Sequence, residues 1–421
     1  MTRDSSFEWN QDGLERAVRL IQEQWSERPL PLMPAPLDLS SSLPEIGAGE
    51  RVALEVMAGA FLGGAARFHS PGYFAHMEPP TPWITWAAAM WAASLNQNLL
   101  HAETAPAAIA IEERVVQWLA PFFGLRGGHM VPGSTMANLT ALWAARELRD
   151  VQEIVTTSAA HLSIEKAARL LRLPLRVVEV GRDGSVRRED LGDVSRAALV
   201  LTAGTTAIGA VEPLAFGRDA RWFHVDAAWA GPLRVSRKYA SRLDGIEAAD
   251  SVTVSAHKWL FQPKESALVM FADPDAAHTA LSFGADYLAK DNIGLQGSHG
   301  AMALPLLAML LAWGRTGVAE RIEWCMSLAE ELEERVRADD RLELRGESAT
   351  GVVVWRVKGV SPRAIVSKLE TVQVAAVTID GEDWLRSVAI NPMAEVDVVV
   401  CEVLRKAESL TRTETPWFAT P

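Results

Sequence analysis

Residues Ser251–Pro263 read SVTVSAHKWLFQP. Valines alternate with small polar residues, the pattern of a half-buried strand. The strand then delivers a histidine and a lysine side by side. A lysine there is costly unless it is exposed, paired or used in chemistry. What the rest of the chain places near Lys258 decides which of these holds.

Similar short runs recur on both sides of this stretch. IVTTS, LRVVEV, AALVLTAG, WFHVDAA and ALVMFA are apolar and rich in β-branched residues, and helical stretches separate them. Strands alternating with helices predict an α/β fold with a mostly parallel sheet covered on both faces. Ligands of such sheets bind beyond the C-terminal ends of the strands. This pattern spans residues 81–310 and predicts a large domain. Residues 1–80 read as an N-terminal helical and extended segment, with helices in GLERAVRLIQEQW and GERVALEVMAGAFLGGAARF and a proline-rich crossing between them. Residues 311–421 read as a smaller α+β C-terminal domain opened by a long helix. AMALPLLAMLLAW, Ala301–Trp313, is too short to span a bilayer and contains Pro305, so it reads as a core helix.

The totals narrow the partners. The 421 residues are 49% hydrophobic and carry a formal charge of −12. That acidity argues against nucleic acid, whose phosphates call for a basic face. No membrane segment or signal peptide is read, and the two cysteines form neither a disulfide framework nor a metal site, so a cytoplasmic protein is expected.

Four stretches fall where predicted strands end. In VPGSTMANL, Gly133, Ser134 and Thr135 open a helix, and free N–H groups with two hydroxyls suit a phosphate as well as a plain helix cap. His161, in TTSAAHLSIEKA, begins another helix. Asp226 ends the buried run WFHVD and needs a partner, either a structural donor or a protonated ring nitrogen; Thr206 and Ala228 would line the same ring. Lys258, flanked by His257 and Ser255, ends the following strand. A phosphate cradle, an acid, a histidine able to stack and a lysine together meet the needs of pyridoxal 5′-phosphate, whose ring serves as an electron sink.

In this order PGSTMANL, HLSIEKA, TAGTTAIGAVEPL, HVDAAWAG and SAHKWL resemble the group II pyridoxal-phosphate-dependent amino-acid decarboxylases, over roughly residues 15–400. The resemblance implies the fold type I architecture and a homodimer with active sites at the subunit boundary. It implies that Lys258 is the Schiff-base lysine, Asp226 the partner of the pyridine nitrogen and His161 the residue stacked on the ring. Ser134, Thr135, Ser255 and His257 would hold the phosphate, with Gly133 shaping the turn. The expected reaction is decarboxylation of a small-molecule L-amino acid to an amine and CO2.

The same resemblance places Tyr287, in FGADYLAKDNIG, on a loop where the family keeps the tyrosine that protonates Cα; aldehyde-forming relatives tend to carry phenylalanine there. His76 and Met77 match the substrate-facing loop. Asn98 and Leu100 match a segment reaching the neighbouring subunit's pocket. Arg386, in DWLRSVAINP, either pairs with a substrate carboxylate or makes a surface ion pair. GSHGAMALP, Gly297–Pro305, departs from the family's turn by lacking two arginines and a lysine, leaving Gly297 and Ser298 as phosphate-side donors. A carbon–carbon lyase or aldehyde-forming enzyme on the same fold is the alternative reading, and a non-catalytic dimeric binding protein is the alternative of another class.

Overall fold

A computed structural model describes residues 9–26, 41–286, 288 and 291–413. Its helices are α1 (Gln11–Ser26), α2 (Glu50–Met57), α3 (Trp83–Leu95), α4 (Pro106–Leu119), α5 (Ser134–Arg149), α6 (Leu162–Leu171), α7 (Pro274–Leu281), α8 (Ala303–Arg337), α9 (Pro362–Val366) and α10 (Val396–Thr413). The proline-rich crossing falls mostly outside the described residues.

The large sheet contains β1 (Gly127–Val131), β2 (Glu153–Thr157), β3 (Leu175–Val178), β4 (Ala197–Thr202), β5 (Trp222–Asp226), β6 (Ser251–Ser255) and β7 (Ala267–Phe271). They lie in the order β1-β7-β6-β5-β4-β2-β3. β7 runs antiparallel to both neighbours, and the remaining pairs are parallel. The fold is the α/β, mostly parallel arrangement that the alternation of runs predicts. All six runs read as strands are strands. β1, with the sequence GGHMV, goes unread because two glycines hide its periodicity.

One reading of the opening stretch is corrected. β6 is not half buried: all five of its residues are buried. Two of its three hydroxyls, those of Ser251 and Ser255, find partners inside the protein, and Thr253 Oγ1 finds none among the described residues. Ser251 Oγ accepts from Trp222 Nε1 at 2.9 Å, and Ser255 Oγ meets Ser134 Oγ at 2.6 Å. Buried hydroxyls with partners carry little penalty, so strict alternation here separates an apolar face from a functional one.

β8 (Ser282–Phe283) and β9 (Asn292–Ile293) form a short antiparallel ribbon. The C-terminal region builds a second sheet from β10 (Leu342–Leu344), β11 (Val352–Val357), β12 (Ala375–Ile379) and β13 (Glu382–Val388), in the order β10-β11-β13-β12. α8 reaches from the first core to the second and breaks at Gly314 (φ 60°, ψ −176°), a conformation open to glycine. No helix among the described residues is long and apolar enough to cross a membrane.

A buried clasp joins the two regions. Trp229, just past β5, donates from Nε1 to Thr350 O at 2.9 Å and Oγ1 at 3.0 Å. Thr350 Oγ1 donates in turn to Gly209 O at 2.7 Å. Gly209 has φ +68°, and a Cβ there would stand 2.6 Å from Thr350 Oγ1. Thr350→Val removes one donor and one acceptor from this closed space. It should lower the unfolding free energy by about 1–3 kcal/mol, read as a shift in the urea midpoint.

Candidate active site

The C-terminal ends of β4, β5 and β6 and the start of α5 meet around a cavity of about 280 Å³. Lys258, Asp226, His161, His257, Thr206, Ala228, Met77 and the Gly133–Thr135 turn line it. Parallel strands place these residues together because each strand's C-terminal loop opens on the same edge.

Asp226 is 3% exposed. Its Oδ2 accepts from Asn138 Nδ2 at 2.8 Å and its Oδ1 from Ala228 N–H at 3.1 Å. Both donors are neutral, so they solvate the carboxylate without cancelling its charge. Lys258 is partly buried beside it. Burial pushes the Lys258 amine down from its ordinary value; the charge of Asp226 opposes that shift, and Lys264 and Arg386 add to it. His161 caps α6, its Nδ1 accepting from Ser163 N–H at 3.2 Å and lying 2.8 Å from Ser163 Oγ. Burial also lowers its pKa.

The donor set fits pyridoxal 5′-phosphate. Gly133 leaves the start of α5 without a side-chain cap, so the first N–H groups of that helix have no intrahelical partner. The Ser134 and Ser255 hydroxyls meet beside this terminus, and the buried His257 Nδ1 has no partner among the described residues. These groups suit a phosphate, and the charged, neutrally solvated Asp226 suits a protonated ring nitrogen.

The other expected residues fall in different places. Arg386 is 7% exposed, so it makes no surface ion pair. It donates to Thr206 O at 2.9 Å and Ala75 O at 3.3 Å, which sets it behind the cavity wall. Burial brings its pKa down to about 10. His76 is exposed, whereas its neighbour Met77 lines the cavity. Asn98 donates to Ser298 Oγ at 3.1 Å and accepts from Leu100 N–H and His299 N–H. Asn98, Leu100, Gly297 and Ser298 are absent from the lining of the Lys258 cavity within one chain. Tyr287 lies outside the described residues.

A model of the pyridoxal-dependent decarboxylase conserved domain matches residues 41–358. An L-2,4-diaminobutyrate decarboxylase of Rhizobium meliloti (strain 1021) is 30% identical over 410 residues, covering 86% of this chain and 82% of the relative. A tyrosine decarboxylase of Oryza sativa subsp. japonica is 27% identical over 350 residues, covering 70% and 65%. Among solved structures, Oryza sativa TDC with PLP and tryptamine superposes with a TM-score of 0.86 at 21% identity, covering 97% of this chain and 99% of that one. Mouse CSAD superposes with a TM-score of 0.83 at 23% identity, covering 94% and 99%.

Asn138, His224, Ser251 and Glu212 also stand at the site and are not among the residues expected from sequence. Spacing holds a signal for three of them. Asn138 follows Ser134 by one helical turn, His224 shares a strand face with Asp226, and Ser251 shares one with Ser255. Glu212 carries no such signal, because a loop brings it back. It is 1% exposed, and its Oε2 accepts from Thr202 N–H at 2.6 Å. Thr202 pairs in register with Asp226. Burial pushes the Glu212 carboxyl up to about 7, and the charge of Asp226 adds to the rise. The folded chain therefore holds a proton there that the unfolded chain has released above the ordinary carboxylate range. That stabilisation is present at low pH and is lost as pH rises through about 7. The Glu212→Gln variant should gain stability relative to the native chain between about pH 5 and pH 8, measured by urea unfolding at both.

Proposed function

We infer that Lys258, Asp226 and His161 are the working residues of this chain, which belongs to the pyridoxal-dependent decarboxylase family and is an amino-acid carboxy-lyase dependent on pyridoxal 5′-phosphate. One observation carries the inference. A lysine and a buried carboxylate from adjacent strand ends share a cavity with an uncapped helix terminus and two facing hydroxyls.

Lys258 holds the cofactor covalently, and its lowered pKa makes the neutral, nucleophilic amine more available. Asp226 would hold the ring nitrogen, and His161 would cover a ring face. Ser134, Thr135, Ser255 and His257 hold the phosphate. When bound, the cofactor would supply an electron sink for the pair left at Cα when the substrate carboxylate departs as CO2. Arg386 acts on the substrate by its charge, from behind the cavity wall, and not by contact. Its guanidinium is buried against two neutral carbonyls, so a carboxylate brought beside Thr206 gains a desolvated cation. Met77 packs against the substrate side chain. Tyr287 returns a proton to Cα, which yields an amine.

A second copy of the chain completes the site. Trp83, Trp91 and Leu95 of α3 are 70%, 59% and 68% exposed, an apolar face that monomeric proteins rarely leave in water. Pairing across this face would bring Asn98, Leu100, Gly297 and Ser298 to the partner's cavity. A cytoplasmic location agrees with an exposed free Cys401.

Similar proteins carry the names of decarboxylases for diaminobutyrate, aspartate and tyrosine, which span cationic, acidic and aromatic side chains. CO2 release should appear with one such group when L-amino acids are screened. Borohydride reduction of the loaded protein should add the cofactor's mass to the peptide containing Lys258. Lys258→Ala should abolish both CO2 release and the visible absorption band; an unchanged band would overturn the assignment. Tyr287→Phe should cut amine formation at least tenfold, with dissolved O2 consumed and aldehyde, ammonia and hydrogen peroxide appearing in its place. Unchanged amine output would remove Tyr287 from the protonation step.

A further inference from the structure

Behind Asp226 lies a row of buried polar groups. Trp222, His224 and Asp226 alternate along β5, so they share one face of the strand. Trp222 Nε1 donates to Ser251 Oγ at 2.9 Å, and Ser251 Oγ lies 2.8 Å from His224 Nδ1. His224 Nε2 lies 3.0 Å from Asn138 Oδ1. Asn138 Nδ2 donates to Asp226 Oδ2 at 2.8 Å and to Ser163 Oγ at 2.9 Å. Ser163 Oγ lies 2.8 Å from His161 Nδ1.

Donor chemistry gives every link a direction. An indole N–H only donates, so Ser251 accepts it; Asp226 only accepts, which turns Asn138 Oδ1 toward His224 Nε2, and Ser251 must then give its own proton to His224 Nδ1. A neutral His224 then carries its proton on Nε2 and donates to Asn138 Oδ1. That orients the amide as Asp226 requires, because a carboxylate only accepts. The far end agrees independently. Ser163 N–H donates to His161 Nδ1 at 3.2 Å, so this nitrogen is bare. Ser163 Oγ, which accepts from Asn138, passes its hydroxyl proton to the same nitrogen. Burial favours the neutral form of both imidazoles, bringing His224 down to about 4 and lowering His161.

We propose that Trp222, Ser251, His224, Asn138 and Ser163 form a one-way donor chain that sets two proton positions in the active site. Asp226 is held as a pure acceptor. His161 keeps its proton on Nε2, the nitrogen that Ser163 does not engage. None of the five lines the cavity, so they are positioning residues for groups that do. Their effect on decarboxylation rests on the roles assigned above to Asp226 and His161. The proton positions themselves do not.

The first test uses cofactor-free protein with ¹⁵N-labelled histidine, because ring ¹⁵N shifts separate bare from protonated nitrogens. His161 and His224 signals are identified by their loss in the His161→Gln and His224→Gln variants. Both residues should show a bare Nδ1 and a protonated Nε2. Trp222→Phe and Ser251→Ala should mix the tautomers of His224. A protonated Nδ1 on either residue in the native chain, or tautomers unmoved in both variants, overturns the proposal. The second test uses loaded enzyme. His224→Leu should lower kcat on the order of tenfold to a hundredfold, the worth of a hydrogen bond relayed to a charged group, with KM held within about threefold. His224→Gln can accept from Ser251 and donate to Asn138, so it should recover most of the rate. Equal losses in both variants, or no loss in His224→Leu, overturn the chain. Should His224→Leu not fold, Ser251→Ala removes the hydroxyl that meets His224 Nδ1 and little volume, and should lower kcat in the same sense; an unchanged kcat then overturns it. Enzyme that binds cofactor but releases no CO2 would sink the functional reading and leave the NMR result standing.

Discussion

The charge on Asp226 is the constraint around which the site is built. A carboxylate that is 3% exposed costs several kcal/mol unless donors replace its water. An arginine would satisfy it but would also cancel the charge. Instead it receives two neutral donors, the Asn138 amide and the Ala228 N–H. Neutral solvation keeps an anion at a strand end, ready for a cation that enters the cavity.

That arrangement explains features that look unrelated along the chain. α5 begins at the cavity and therefore serves two purposes. Its first residues present N–H groups and hydroxyls, and Asn138, one turn further, reaches the carboxylate. β6 keeps polar residues in a fully buried strand because Ser251 and Ser255 support opposite ends of the same layer. Glu212 sits nearby with a carboxyl pushed up to about 7, which limits the negative charge accumulated around Thr202 and Asp226. Lys258 and Arg386 stand on the other side of the balance, each with a pKa lowered first by burial. Burial strengthens each of these interactions.

Much of this was legible in one dimension. The six β-rich runs mark six strands because a buried parallel strand is a near-continuous apolar segment. Asp226, Lys258 and the Gly133–Thr135 turn stand out because charge and hydroxyls are unusual at the ends of such segments. Other features were hidden. β1 has too little side chain to show a period. β6 mimics a half-exposed strand, since alternation alone does not distinguish water from a polar interior. Arg386 reads equally well as a surface residue until the Ala75 and Thr206 carbonyls are seen around it.

The sequence by itself determined the fold class, the cofactor chemistry and the residues at the strand ends. Those properties follow from local periodicity and from residue types that are costly to bury without a use. Only the tertiary structure decided how the polar groups connect. It brings Trp222, Ser251, His224, Asn138 and Ser163 from two strands, a helix start and a helix interior into one hydrogen-bonded row. It also returns Glu212 beneath Thr202 and separates His76 from Met77. Hydrogen bonds act over about 3 Å between chosen atoms, and no pattern of residue types specifies which atoms meet until the strands are set side by side.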